Sequence, residues 1–172
     1  YNQQYPQADT VPAVAVAEQY GVPLYSTTVA NYSLRLDGGN FLTDGMGTAF
    51  SSELVTRDNS FCEGCDVQRI AREFMGIKRY NILPQLLYDE THHVDMYLKL
   101  LDEETILIGE YPPSAPDYRQ LEANVDFIKN QLKTPYGNDY NIVRIAMPPD
   151  QNGEFPGIPA DVSAGCSALD KP

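Results

Sequence analysis

The order of turn, helix and strand signals predicts an α/β domain assembled from a repeated ββαβ unit. Three observations carry that prediction. Helical stretches recur near positions 15, 70 and 125, roughly 55 residues apart, a spacing typical of repeat architectures. Each helical stretch runs through a glycine turn toward an apolar strand, as in Gln19-Tyr20-Gly21-Val22, Met75-Gly76-Ile77 and Tyr136-Gly137 ahead of Tyr140. Between the helices lie pairs of short strand-like runs. Units that bury an apolar face only beside a neighbour build rings or arrays. We expect a single domain over 1–172, with units near 1–60, 61–115 and 116–172 and a loop-like stretch over 148–172.

Pro12 suits a first helical turn, so residues 13–19 are predicted helical and stopped by Gly21. Residues 22–29 are apolar and β-branched and predict a strand, and 32–37 alternate toward Gly38-Gly39. A turn at Asp44-Gly45 leads into a strand over 48–56. Residues 66–75 place Val67, Ile70 and Phe74 on one helical face, with Gly76 as the stop and a strand over 77–83. Strands over 94–101 and 105–110 flank the turn Asp102-Glu103-Glu104. After the proline-rich 112–116, Asp117 is positioned to cap a helix whose Leu121, Val125, Ile128 and Leu132 recur at helical spacing. Residues 140–147 predict the last strand.

The net charge of -12 disfavours nucleic acid, whose phosphates call for a basic stripe, and would draw a cationic ligand, although acidity alone reads first as a solubilising surface and selects no function. No run of residues is long enough to span a bilayer as a helix, so no membrane role is expected. Of the three cysteines, Cys62 and Cys65 form a C-x-x-C without the second pair that a zinc ribbon needs. A disulfide pinning this loop ahead of a helix is the expected role, with two free thiols or a redox motif as alternatives. A disulfide would place the protein in an oxidising compartment, secreted or periplasmic; otherwise it is cytoplasmic.

Two segments hold the residues suited to chemistry. In Thr91-His92-His93-Val94-Asp95, a strand would put His93 and Asp95 on one face, pairing a proton shuttle with a carboxylate able to receive a forked cation. Taken alone, the pattern reads first as an exposed polar strand face. The same alternation separates His92 from His93, which argues against a metal site. In Asp37-Gly38-Gly39-Asn40, followed by Asp44-Gly45-Met46-Gly47-Thr48, the glycines permit close backbone approach; alone, the segment reads as tight turns.

Taken together, an acidic residue before Gly-Gly-Asn, then Asp-Gly-x-Gly-Thr, then His-x-Asp resembles the agmatine deiminase and bacterial peptidylarginine deiminase group. Asn2, Val11-Pro12, Gly21-Val22-Pro23-Leu24-Tyr25 and Leu107-Ile108-Gly109-Glu110-Tyr111 are similar to the peptidylarginine branch. The resemblance covers most of 1–150. It implies a five-module α/β propeller, the pentein fold, of which this chain would hold about three modules. It also implies hydrolysis of a guanidino group, in a small molecule or an arginine-containing peptide, to a ureido product and ammonia, with no cofactor and no metal. By the same resemblance His93 is the general acid/base, Asp95 a guanidinium-binding carboxylate, and Asp37 and Asn40 border the substrate. The family's cysteine nucleophile lies further from His-x-Asp than Cys166, which is 73 residues beyond His93. The thiolate is therefore expected outside this chain, which alone would be inactive. The remainder of a longer chain, or a second copy, is expected to cover the open repeat faces. Gln3, Gln4 and Tyr5 stand where the peptidylarginine branch often has arginines that grip a C-terminal carboxylate. A non-catalytic binding module of the same fold is the alternative.

Overall fold

The computed structural model describes residues 11–28, 31–61 and 63–155. Helix α1 (Val11–Tyr20) buries only Ala17 and ends at Gly21, whose φ of 62° is the left-handed turn that halts a helix. The strand expected at 22–29 is absent from 22–28, where Val22, Leu24 and Tyr25 are exposed. The alternating stretch 32–37 is likewise no strand. The reason is the same for both: β-branched and alternating residues form strands only within a ladder, and among the described residues these segments meet through the Leu34 N to Thr27 O bond without joining either sheet.

The first sheet comprises β1 (Leu42–Thr43), β2 (Thr48–Ser52) and β3 (Arg79–Leu83). Strands β1 and β2 are antiparallel around a turn in which the Asp44 carboxylate accepts from Met46 N and Thr48 N. Strand β2 is buried throughout and pairs in parallel with β3, ending where Ser52 faces Leu83. With no partner beyond Leu83, the chain turns into helix α2 (Leu54–Asp58) rather than continuing as strand to Thr56. Helix α3 (Val67–Met75) returns the chain to β3, capped by the Asp66 side chain on Arg69 N and closed at Gly76 with φ 70°.

The second sheet repeats the plan. Strands β4 (Leu98–Leu100) and β5 (Thr105–Glu110) form an antiparallel hairpin, and β6 (Asn141–Ala146) pairs in parallel with β5 after helix α4 (Tyr118–Gln131). Two three-stranded mixed sheets, each a hairpin followed by a crossover to a parallel strand, thus span 42–83 and 98–146. One core joins them: Phe50 and Leu83 from the first unit pack with Leu98, Ile106, Ile108, Leu121 and Ile128 from the second. Each fully buried aliphatic side chain of this set contributes about 1.5–3 kcal/mol. The helical spacing read for α4 is the buried face, with Leu121, Val125 and Ile128 inward.

Two local expectations need correction. Asp117 makes no side-chain cap to α4; its carboxylate accepts instead from Leu87 N and Tyr88 N, thirty residues upstream in sequence. The strand predicted over 94–101 begins only at Leu98, because Val94–Met96 form a single 3₁₀ turn. Val94 N is occupied by the Asn40 side chain and Tyr97 N bonds back to Val94 O, so the contact with β5 begins only where Tyr97 O accepts from Gly109 N.

Candidate active site

The site lies where two single 3₁₀ turns meet. One is Gly38–Asn40, entered from Asp37, and the other is Val94–Met96, entered from His93. Asn40 fastens them together. It is 2% exposed, and its side-chain oxygen accepts from Ser52 N at 2.8 Å and from Val94 N at 3.1 Å. One amide thus ties strand β2 to the turn that carries Asp95. Asn40 sits beneath the site as its fastener; buried amide acceptors of this kind are costly to remove.

On this base three polar side chains converge. His93 Nε2 lies 3.3 Å from Asp37 Oδ2, both groups partly shielded at 12% and 22% side-chain exposure. Gly39 supplies the other wall. A Cβ placed there would stand 2.7 Å from His93 Nδ1 and 2.8 Å and 3.0 Å from the two Asp95 oxygens. Only a residue without a side chain lets the backbone approach both groups. His93 and Asp95 therefore do share one face, though through a 3₁₀ turn around Gly39 rather than through strand alternation. The Asp95 carboxylate is exposed and makes no hydrogen bond or ion pair among the described residues. A pair of carboxylates flanking an imidazole, one of them uncommitted, is suited to a planar cation with several N–H donors.

Among the described residues the arm that delivers Asp37 has no strand partner and is gripped by side chains. Asn59, 3% exposed, accepts from Arg35 N at 2.7 Å and donates to Arg35 O at 2.8 Å, so it imitates a strand neighbour. The Arg35 guanidinium lies 4.1 Å from the Phe61 ring centre, and Arg69 donates to Asn31 O while lying over Tyr32. Asn59 is a site-supporting residue that sequence reading missed, since its partner is 24 positions away and no local motif marks it. Cys65, at the end of this gripping loop, is disulfide-bonded. Cys62 and Cys166 lie outside the described residues.

His92 faces elsewhere. Its φ is 56°, and its ring Nδ1 meets Leu86 O at 2.8 Å, which makes it part of the preceding loop. Among the described residues no group of three or more His, Cys, Asp or Glu side chains could hold a metal ion. No helix of the described residues is long and apolar enough to cross a membrane. Beneath the floor of the site, Tyr80 hydrogen-bonds Ser51 Oγ at 2.7 Å, and burial pushes its phenol above the ordinary value.

Known proteins share this arrangement of sheets. Over 168 residues the chain is 28% identical to a protein of Vibrio parahaemolyticus named "Putative agmatine deiminase", covering 94% of this chain and 45% of that one. A Porphyromonas gingivalis structure named "Putative Arginine Deiminase" superposes with a TM-score of 0.62 at 26% identity, over 73% of this chain and 40% of its own. The agmatine deiminase of C. jejuni superposes at TM-score 0.64 and 18% identity, over 86% and 42%, and so speaks for the fold alone. The chain spans less than half the length of each of these three. The family described as Porphyromonas-type peptidyl-arginine deiminase matches residues 1–163. With that match over nearly the whole sequence, the chain belongs to the peptidyl-arginine deiminase family of the Porphyromonas type.

Proposed function

We propose that this chain provides the histidine and carboxylate half of a deiminase site that hydrolyses a guanidino group. The observation that carries the reading is the convergence of Asp37, His93 and Asp95 about Gly39. A guanidinium seated against Asp95 would place its carbon for attack by a thiolate from a cysteine outside the described residues. His93, held by Asp37, gives a proton to the departing nitrogen, so that ammonia leaves and a thiouronium remains on sulfur. Water then attacks that carbon while His93 takes its proton. The carbon–sulfur bond breaks, freeing the ureido product and the thiolate. Asp37 keeps the imidazole oriented and stabilises its protonated form through both steps.

Asp37 thus serves the histidine directly and the substrate only through it, while Asn40 fixes the geometry from below. The alternating carboxylate–imidazole–carboxylate order supports a cationic substrate, either free arginine-like or within a peptide. The disulfide at Cys65 supports an oxidising compartment, secreted or periplasmic. Among the described residues strand β6 has one unpaired edge and exposes Ile145 at 53%, which supports a further part of a longer chain, or a second copy, lying against this sheet to complete a propeller.

The test is ureido-product formation by the full-length parent protein, offered free arginine, agmatine and arginyl peptides in parallel. Turnover of one class identifies the substrate; a folded parent protein inert toward all three would end the proposal.

A further inference from the structure

His93 is reached from β3 by residues 84–92, a stretch with no regular structure, so its backbone groups must be satisfied by side chains. Two of these come from the second unit, one just ahead of helix α4 and one within it. The buried Asp117 carboxylate, in a residue only 3% exposed, accepts from Leu87 N at 2.9 Å and from Tyr88 N at 3.1 Å. Asn124, 1% exposed, donates to Pro84 O at 2.9 Å. Further along, Asp89 accepts from Thr91 N, the His92 ring meets Leu86 O, and Ser52 Oγ donates to His92 O at 2.5 Å. The loop is therefore fixed at its start and middle by α4 and at its end by β2. It finishes at His92 in a left-handed conformation that few non-glycine residues adopt unless the surroundings hold them there. The next residue is His93.

We propose that Asp117 is a positioning residue for His93: by clamping Leu87 and Tyr88 it holds the loop whose last bend aims the imidazole at Asp37. The geometry also explains why Asp117 stands at the start of α4 and yet makes no side-chain cap to that helix. Burial raises its carboxyl, and the two backbone N–H groups work in the opposite sense. The inference rests on the reading of Asp37 and His93 as the site, but its test does not depend on turnover.

The test is NMR on the 172-residue chain, which has only two histidines, comparing Asp117→Asn with Glu122→Gln on the same helix. An amide keeps the shape but offers a single acceptor oxygen. In Asp117→Asn, exchange of the Leu87 or Tyr88 amide should accelerate by about 10-fold or more, and the His93 imidazole correlations should shift or broaden. In Glu122→Gln the His93 correlations should stay in place, because the hydrogen bonds of the Glu122 carboxylate among the described residues come from Arg144 and not from the loop. Accelerated exchange at Leu87 or Tyr88 with wild-type His93 signals would overturn the proposal. Should Asp117→Asn fail to fold, Asn124→Ser, which releases Pro84 O together with the Asn124 bonds to the Tyr97 hydroxyl and Gln120, must move the same His93 signals, and unmoved signals there are equally decisive. In the full-length parent enzyme, Asp117→Asn should lower kcat by about 10-fold with little change in KM, as expected of a misaimed proton donor. A parent protein without deiminase activity would refute the function yet leave the positioning of His93 by Asp117 measurable.

Discussion

Replacing Gly39 by alanine should separate chemistry from stability. The added Cβ would stand 2.7 Å from His93 Nδ1 and 2.8 Å from an Asp95 oxygen, where ordinary contact begins at 3.4 Å. Backbone strain does not enter, since Gly39 is not in the left-handed region. The obstructed atoms are side-chain ends, so the fold can yield by displacing His93 and Asp95 by several tenths of an ångström. Folding itself should change by less than about 1 kcal/mol, because alanine also restricts the unfolded chain. Displacement on that scale at a proton-transfer site costs on the order of 10²-fold in rate. The neighbouring Gly38 is the control, since a Cβ there meets nothing within 4 Å. The assay is ureido-product formation by the full-length parent protein, with melting of each variant measured alongside. Gly39→Ala should lose about 100-fold in turnover at a nearly unchanged Tm, and Gly38→Ala should retain both. Full turnover in Gly39→Ala, or a loss matched by Gly38→Ala, would refute the reasoning.

Further predictions concern the supports of the site and the second unit. Asn40→Ala leaves Ser52 N and Val94 N without their acceptor and should cost about 2–3 kcal/mol in chemical denaturation; an unchanged midpoint would contradict its role as fastener. Asn59→Ala should cost a similar amount, on the order of 2 kcal/mol, and speed amide exchange at Arg35 ahead of any residue of β5. Hydrogen bonds from Arg144 hold the Glu122 carboxyl below its ordinary range against an opposing effect of burial. A lowered carboxyl contributes stability above its unfolded-state value and loses it as pH falls through the folded-state value. Glu122→Gln should therefore melt below wild type at neutral pH, by no more than about 1 kcal/mol for a partly exposed pair, and the gap should close in acid. A gap that persists unchanged at low pH would count against the pairing.

What could be read from the sequence followed how local each signal is. Helix α3 has its own stop in Gly76, which acts as read, and its own cap in Asp66, a residue expected inside the helix. The amphipathic spacing of α4 marks its buried face for the same reason. Strand signals failed where pairing decides: among the described residues 22–28 and 32–37 have the composition of strands but join neither sheet, and β2 stops when β3 stops. At the site, the glycine pair and His-x-Asp announced a close approach that does occur at Gly39. The reason given for the shared face was nevertheless incorrect, because Asn40 captures Val94 N across 54 residues and bends the chain into a 3₁₀ turn. Contacts of that range leave no local trace. Asn59 and Asp117, which hold the two arms of the site, were invisible as supports for that reason.

The most direct test of the central claim is to compare wild-type and His93→Ala full-length parent protein for ureido product on whichever guanidino substrate is turned over. The account predicts a fall of at least about 10²-fold in kcat with the fold intact, in keeping with loss of a general acid/base. Undiminished turnover in His93→Ala would contradict it, because no other histidine lies against Asp37 and Gly39 among the described residues.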